Sequence, residues 1–201
     1  MKQIQPSFHD AASACVPDCS YFAAANTGGG FFSQFSQLFD PQSKEWRRIY
    51  IIKGGPGTGK SSFMKRILHA AQENGYETEA FFCSSDTKSL DGLRIPALGI
   101  AILDGTAPHA VDAVYPGAVE TILNMGDFFE TSILQQSLDG IREQKQKNAV
   151  AHKHAGDFLE AAASVRRTAL GLVGPLIDHE KAERLAERIV GRCQKEKTPH
   201  C

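Results

Sequence analysis

Residues 48–61 read RIYIIKGGPGTGKS, and this stretch decides the fold. Residues 49–52 form an unbroken apolar run rich in β-branched side chains, a pattern typical of a strand buried on both faces of a parallel sheet. Residues 54–61 match G-x-x-x-x-G-K-[ST], and an apolar helical stripe follows over 60–74. Strand, glycine-rich turn and helix occur in the order that this motif requires. We therefore predict a phosphate-binding loop.

The residue types in this loop suit the chemistry of phosphate binding. Glycines let successive backbone N–H groups converge on phosphate oxygens, and the following helix N-terminus adds about half a positive charge. Lys60 is expected to reach the β- and γ-phosphates, and the Ser61 hydroxyl is expected to coordinate Mg²⁺. ATP and Mg²⁺ are thus the expected ligands. The predicted nucleotide-binding residues are Gly54, Gly55, Pro56, Gly57, Thr58, Gly59, Lys60, Ser61 and Ser62.

Two further apolar runs predict strands over 78–83 and 98–103. With the first strand and its helix they predict an α/β fold of the P-loop NTPase type, a mostly parallel sheet flanked by helices. No convincing strand is expected after Asp104, where residues 170–173 are the one weak candidate. Three strands would leave an exposed edge, so we expect an isolated chain to be marginally stable or self-associating.

Asp104 closes the third predicted strand, in the pattern of a Walker B carboxylate that faces the metal. The alternative is an aspartate that caps the next turn. Many hydrolytic P-loop proteins place a glutamate directly after this aspartate, whereas Gly105 follows here. Water activation must then come from another residue, or hydrolysis is slow.

Polar residues after the second and third strands are expected at the ligand edge of the sheet, because open α/β sheets bind ligands beyond the carboxyl ends of their strands. They occupy 84–86 and 106–109, and turn formation explains them equally well. His109 is the one with a plausible proton-transfer role. Lys60, Asp104 and His109 are therefore the candidate catalytic residues. Four arginines could stabilise phosphate charge, although exposed arginines are more often solvated surface residues. They are Arg47, Arg48, Arg166 and Arg167.

The two ends of the chain differ in character from the centre. Residues 1–45 are predicted to be a loop-like lead-in with a short amphipathic helix over 31–39, and 46–126 the core domain. Residues 127–201 are predicted to be a helical arm, with an antiparallel pair of helices over 141–168 and 177–195. Gly171, Gly174 and Pro175 separate the pair.

Composition and charge exclude several other classes of protein. Lys and Arg total 22 against 23 Asp and Glu, so no overall basic field favours nucleic acid. The first 25 residues lack a secretory apolar core, and no run reaches the ~20 apolar residues of a membrane span. The five scattered cysteines indicate reduced thiols. Together with the lack of a secretory core and of a membrane span, they predict a cytoplasmic protein. Cys15 and Cys19 with His9 could begin a metal site, but no second close pair completes it.

Five motifs together carry a family resemblance: ANTGGGF at 25–31, IIKGGPGTGKS at 51–61, CSSD at 83–86, LDG at 90–92 and LDGTAPH at 103–109. They resemble a group of uncharacterised, ATPase-like bacterial P-loop ATP-binding proteins, well over 20–130 and loosely beyond. Members of that group have a second P-loop half after the helical segment. The resemblance implies that this chain corresponds to the first half, with a second half or another copy as partner.

Three functions are compatible with these observations. The leading one is a Mg²⁺-dependent ATP-binding protein with ATPase activity, whose turnover is slow alone. GTP is disfavoured because no Asn-Lys-x-Asp segment occurs. The alternatives are a nucleotide or small-molecule kinase, favoured by Gly105 after Asp104, and a non-enzymatic interaction module controlled by nucleotide.

Overall fold

The computed structural model describes residues 17–195, which form two compact units. The described part of the first unit comprises residues 17–23 and 34–128, and that of the second comprises 24–33 and 129–195. The predicted domain limits stay a prediction. The strands are β1 (Cys19–Tyr21), β2 (Ala24–Thr27), β3 (Gly30–Ser33), β4 (Arg48–Lys53), β5 (Glu79–Phe82), β6 (Leu90–Ile95), β7 (Ile100–Asp104) and β8 (Glu120–Asn124). The α-helices are α1 (Phe35–Leu38), α2 (Lys60–Glu73), α3 (Thr131–Gln136), α4 (Leu138–Val173) and α5 (His179–Lys195).

The first unit is built on a six-stranded sheet in the order β1-β5-β6-β7-β4-β8. β4 pairs in parallel with β7 on one side and with β8 on the other, and β1 pairs in parallel with β5. β6 alone runs antiparallel to its neighbours β5 and β7. The prediction of an α/β fold with a mostly parallel sheet is therefore confirmed.

The sheet has more strands than the sequence suggested. β4, β5 and β7 lie within two residues of their predicted limits, but β1, β6 and β8 were not predicted. The expectation that no strand follows Asp104 is wrong, because Glu120–Asn124 pairs with β4, and residues 170–173 are helical. Polar residues interrupt both β6 and β8, so neither shows the apolar run of a buried strand. With six strands present, the sheet no longer gives a reason to expect marginal stability.

The predicted amphipathic helix over 31–39 is also wrong in its first half. Phe31 and Phe32 lie in β3, which forms an antiparallel hairpin with β2. The turn favours the hairpin because Gly30 has a φ of 105° and accepts a 2.6 Å hydrogen bond from the Thr27 hydroxyl. Helix α1 covers only four residues, and its Phe35 is buried.

Helix α2 packs on the sheet and begins where the glycine-rich loop ends. Its apolar stripe buries Met64 and Leu68 against strand residues such as Ile52 and Leu93. The helix ends at Glu73, and Gly75 adopts a φ of 76°, as the predicted Asn-Gly stop implies. This packing holds the N-terminus of α2 at the carboxyl end of β4.

The second unit contains the hairpin and the C-terminal helices. The predicted helical segments are observed as α4, of 36 residues, and α5, of 17 residues. Gly171 lies inside α4, and a short 3-10 helix, Gly174–Leu176, separates the two helices. Their antiparallel arrangement stays a prediction. Among the described residues, no helix has both the length and the apolar character needed to cross a bilayer.

Glu120 at the start of β8 gives a direct test of this unpredicted strand. Its side chain is buried and accepts hydrogen bonds from the N–H groups of Val114 at 2.6 Å and Tyr115 at 2.7 Å. Glu120→Ala leaves these donors without their partner, so we expect a loss of about 1–3 kcal/mol in the free energy of unfolding. Urea unfolding followed by the single tryptophan, Trp46, measures it. The exposed Glu77→Ala is the control, and equal stability of the two variants would contradict the assignment.

Candidate functional site

The glycine-rich loop between β4 and α2 has the backbone conformation that its glycines allow. Gly57 and Gly59 have φ values of 77° and 84°, in the left-handed region that side chains disfavour. Gly59 caps the N-terminus of α2. Gly54 is required for space, because a Cβ there would lie 2.6 Å from the Thr58 hydroxyl oxygen. That hydroxyl donates a 2.8 Å hydrogen bond to the carbonyl of Gly55, which closes the loop.

Lys60 lies across the loop and faces Asp104. Its Nζ donates hydrogen bonds to the carbonyls of Gly54 at 2.8 Å and Gly55 at 2.9 Å. The same Nζ lies 3.5 Å from Oδ2 of Asp104, and both side chains are nearly buried. The parallel register of β4 and β7, which aligns Ile52 with Asp104, brings the carboxylate to this position. The structure therefore brings together two of the three candidate catalytic residues.

Ser61 and Asp104 are each held by a neighbouring backbone group. The Ser61 hydroxyl accepts a 2.9 Å hydrogen bond from the N–H of Leu90, the first residue of β6. Oδ1 of Asp104 accepts a 2.9 Å hydrogen bond from the N–H of Thr106, and the Thr106 hydroxyl also donates to it. Oδ2 of Asp104 stays directed towards Lys60. Asp104 thus caps its own turn and also faces the loop, so the two interpretations of this residue are compatible.

A cleft of about 460 Å³ lies over the loop and continues beyond it to the ends of β5 and β6. Its lining combines the predicted binding residues 56–62, but not Gly54 or Gly55, with polar side chains from the opposite wall. The lining residues are Pro56, Gly57, Thr58, Gly59, Lys60, Ser61, Ser62, Cys83, Asp86, Ser89, Leu90, Asp91 and Asp104. Of the polar residues 84–86, Asp86 lines the cleft, whereas Ser84 and Ser85 are not among the lining residues.

His109 lies beneath the cleft and does not line it. Its ring is buried, 4.6 Å from the Phe35 ring, and Nε2 lies 3.0 Å from Oδ2 of Asp91. The predicted proton-transfer residue thus contacts Asp91, which lines the cleft. Sequence reasoning did not select Asp91 as a site residue, although it stands in the LDG motif, where an acidic residue lies between apolar residues and glycine.

None of the candidate arginines is among the residues that line the cleft. Arg48 begins β4, at the opposite end of the strand, and donates a 2.9 Å hydrogen bond to the carbonyl of Gly117. Arg47 precedes it, and its backbone N–H bonds to Gly99. Arg166 and Arg167 are exposed residues of α4 in the second unit. Within the described part of the chain, Lys60 is the single cation that lines the cleft.

The structure describes three of the cysteines, and all three are free thiols: Cys19, Cys83 and Cys193. Cys15 and His9 lie outside the described residues. No group of three or more His, Cys, Asp or Glu residues within 17–195 is arranged to hold a metal ion.

The reactivity of Cys83 reports on the wall of the cleft. Burial raises the pKa of this thiol, backbone N–H groups of Ser85 and Asp86 partly oppose the rise, and the Asp91 carboxylate adds to it. Since the thiolate is the reactive form, we expect iodoacetamide at pH 8 to modify Cys83 several-fold more slowly than the exposed Cys193. Its reaction rate should climb only above the usual thiol pKa of about 8.5. Peptide mass spectrometry measures both rates, and equal rates at pH 8 would contradict this environment.

Comparison with known families adds one partial similarity. Residues 30–95, 66 of the 201, match the family described as Nephrocystin 3, N-terminal. The matched segment contains the glycine-rich loop, all of α2 and all of β6. No curated protein matches the chain, and no solved structure does. The chain is thus similar to that family over the segment that supplies most of the cleft.

Proposed function

We propose that this protein is a Mg²⁺-dependent ATP-binding protein of the P-loop class with ATPase activity. One observation carries the proposal: Lys60 crosses the glycine-rich loop to within 3.5 Å of Asp104, in the cleft that Ser61 also lines. A turn that only linked strand to helix would need neither a nearly buried lysine nor a facing carboxylate. The sequence resemblance to bacterial ATP-binding proteins supports the same assignment.

The roles of the residues follow from their positions. Phosphate oxygens would replace the carbonyls of Gly54 and Gly55 as acceptors for the Lys60 ammonium, and the N–H groups at the N-terminus of α2 would bind the same phosphates. The Ser61 hydroxyl and the Asp104 carboxylate would hold Mg²⁺. These oxygen donors fit Mg²⁺, which favours carboxylates and substrate phosphates as ligands. The bound metal would neutralise charge that develops on the transferred phosphoryl group.

Turnover by this chain alone is expected to be slow. Gly105 follows Asp104, so the position that often supplies a water-activating glutamate has no side chain. Among the described residues that line the cleft, Lys60 alone carries positive charge. An arginine supplied by a partner commonly accelerates phosphoryl transfer in P-loop proteins by about 10³–10⁵. We propose that a second P-loop half or another copy of this chain supplies it.

Calorimetric titration with ATP, with and without Mg²⁺, tests the proposal. We expect saturable binding of ATP with Mg²⁺, weaker binding of GTP, and slow Mg²⁺-dependent release of phosphate. Absence of ATP binding by the folded protein would overturn the assignment. Binding without phosphate release, and without label transfer to any acceptor, would favour the nucleotide-controlled interaction module.

A kinase is the second candidate, and the extent of the cleft favours it. The cleft continues past the loop to Cys83, Asp86 and Ser89, where polar groups could hold an acceptor. A screen of small hydroxyl compounds and nucleotides with γ-labelled ATP distinguishes the two activities. An ATPase releases labelled phosphate, whereas a kinase transfers the label to an acceptor.

A further inference from the structure

Three carboxylates line the cleft within the described residues, and they have different environments. Asp104 faces Lys60 and is the proposed Mg²⁺ ligand. Asp86 accepts hydrogen bonds from the Ser89 hydroxyl and the Lys88 N–H, which lower its pKa. Both carboxylate oxygens of Asp86 are thus engaged within its own turn, Oδ1 by the Lys88 N–H and Oδ2 by the Ser89 hydroxyl. Asp91 is therefore the remaining candidate for a proton-accepting group.

Asp91 is held rigidly beside the proposed metal site. It is only 6% exposed and follows Leu90, whose N–H donates to the Ser61 hydroxyl. The next residue, Gly92, packs so closely on an aromatic cluster that a Cβ there would lie 3.1 Å from the Phe39 ring and 3.2 Å from the Phe35 ring. This packing leaves the β6 backbone little freedom to move away from the cleft.

His109 makes a buried contact with Asp91. Its Nε2 lies 3.0 Å from Oδ2 of Asp91, and both side chains are at least nine-tenths buried. The loop that carries His109 is itself anchored, because Lys53 Nζ donates to the carbonyls of Gly105 at 2.9 Å and Val111 at 2.6 Å. The pair resembles other carboxylate–histidine arrangements in which one group orients the other for proton transfer.

We propose that Asp91 accepts the proton of the hydroxyl group that attacks the γ-phosphate, and that His109 is its positioning residue. This inference rests on the proposed function. As the attacking oxygen bonds to the γ-phosphorus, its proton passes to Asp91. The bond from the γ-phosphorus to the β–γ bridging oxygen breaks, and its electron pair leaves with ADP. The attacking group is water or a substrate hydroxyl, which phosphate release and label transfer distinguish.

The primary test compares Asp91→Asn with the wild-type protein. Loss of a general base typically costs about 10²–10⁴ in rate, so we expect kcat to fall at least a hundredfold. The Kd for ATP with Mg²⁺, from calorimetry, should stay within about threefold, since Asp91 is not assigned to the phosphates. Asp112→Asn is the control, because its side chain is 94% exposed on the same loop as His109.

Chemical rescue separates catalysis from a structural role. Asp91→Ala opens space beside the cleft, and added sodium formate should restore part of the lost turnover by accepting the proton. His109→Gln keeps an amide N–H that can donate to Asp91, whereas His109→Phe does not. We expect the Gln variant to retain about tenfold more turnover than the Phe variant at equal ATP affinity. The reason is that the Gln side chain keeps one hydrogen bond that orients Asp91.

Each result decides the inference. Turnover of folded Asp91→Asn within threefold of wild type overturns it, as does an Asp91→Ala variant that formate leaves inactive. Should neither Asp91 variant fold, equal turnover of the two His109 variants overturns it. Failure of the wild-type protein to bind ATP with Mg²⁺ overturns the proposed function itself, which separates the two failures.

Discussion

Asp104→Asn is expected to lower Mg²⁺-dependent turnover by at least about a hundredfold, the usual cost of removing one electrostatic contact made in the transition state. The amide keeps the shape of the side chain but removes the charge that would face the proposed Mg²⁺. ATP should still bind through the loop N–H groups and Lys60, so the nucleotide Kd should change far less than kcat. Phosphate release at saturating ATP and Mg²⁺, together with calorimetry, measures the two effects.

The control for this prediction is Asp112→Asn, which removes an equal charge from a side chain that is 94% exposed and bonds to Lys53. Exposed ion pairs contribute little to stability, so the control should retain wild-type turnover. Full Mg²⁺-dependent turnover in Asp104→Asn would remove Asp104 from the metal site. Its 3.5 Å approach to Lys60 would then be an internal ion pair without a catalytic role.

Lys60→Ala is expected to weaken ATP binding by about tenfold to a hundredfold. The variant removes the side-chain charge that is proposed to contact the terminal phosphates, and a hydrogen bond to a charged group contributes about 1.5–3 kcal/mol. Calorimetric titration of ATP in the presence of Mg²⁺ measures the change. ADP affinity should fall less, because the γ-phosphate contact is absent from ADP.

Arg66→Ala is the matched control for Lys60→Ala, since it removes one positive charge from the exposed side of the same helix. A general loss of charge attraction would weaken ATP binding in both variants equally, whereas a direct phosphate contact affects Lys60→Ala alone. Unchanged ATP affinity in a folded Lys60→Ala protein would refute the phosphate-binding role of the loop.

Local sequence alone determined the glycine-rich loop, its flanking strand and its helix. A six-residue turn between β4 and α2 depends on contacts within a few residues, and glycines at 57 and 59 permit the left-handed backbone directly. The apolar runs of β4 and β7 likewise predict strands, because strands that are buried in a sheet consist mostly of apolar residues. For the same reason the residue pattern was sufficient to select Lys60, Ser61 and Asp104.

Tertiary structure alone decided the contribution of β6 to the opposite wall of the cleft and the buried position of His109. β6 and β8 contain polar residues, so their extended conformation comes from hydrogen bonds to β5, β7 and β4 and not from an apolar pattern. Asp91 and His109 are 18 residues apart and meet only because the loop after β7 folds back beneath β6. A side chain's burial and partner depend on such distant chain segments, and residue spacing does not encode them.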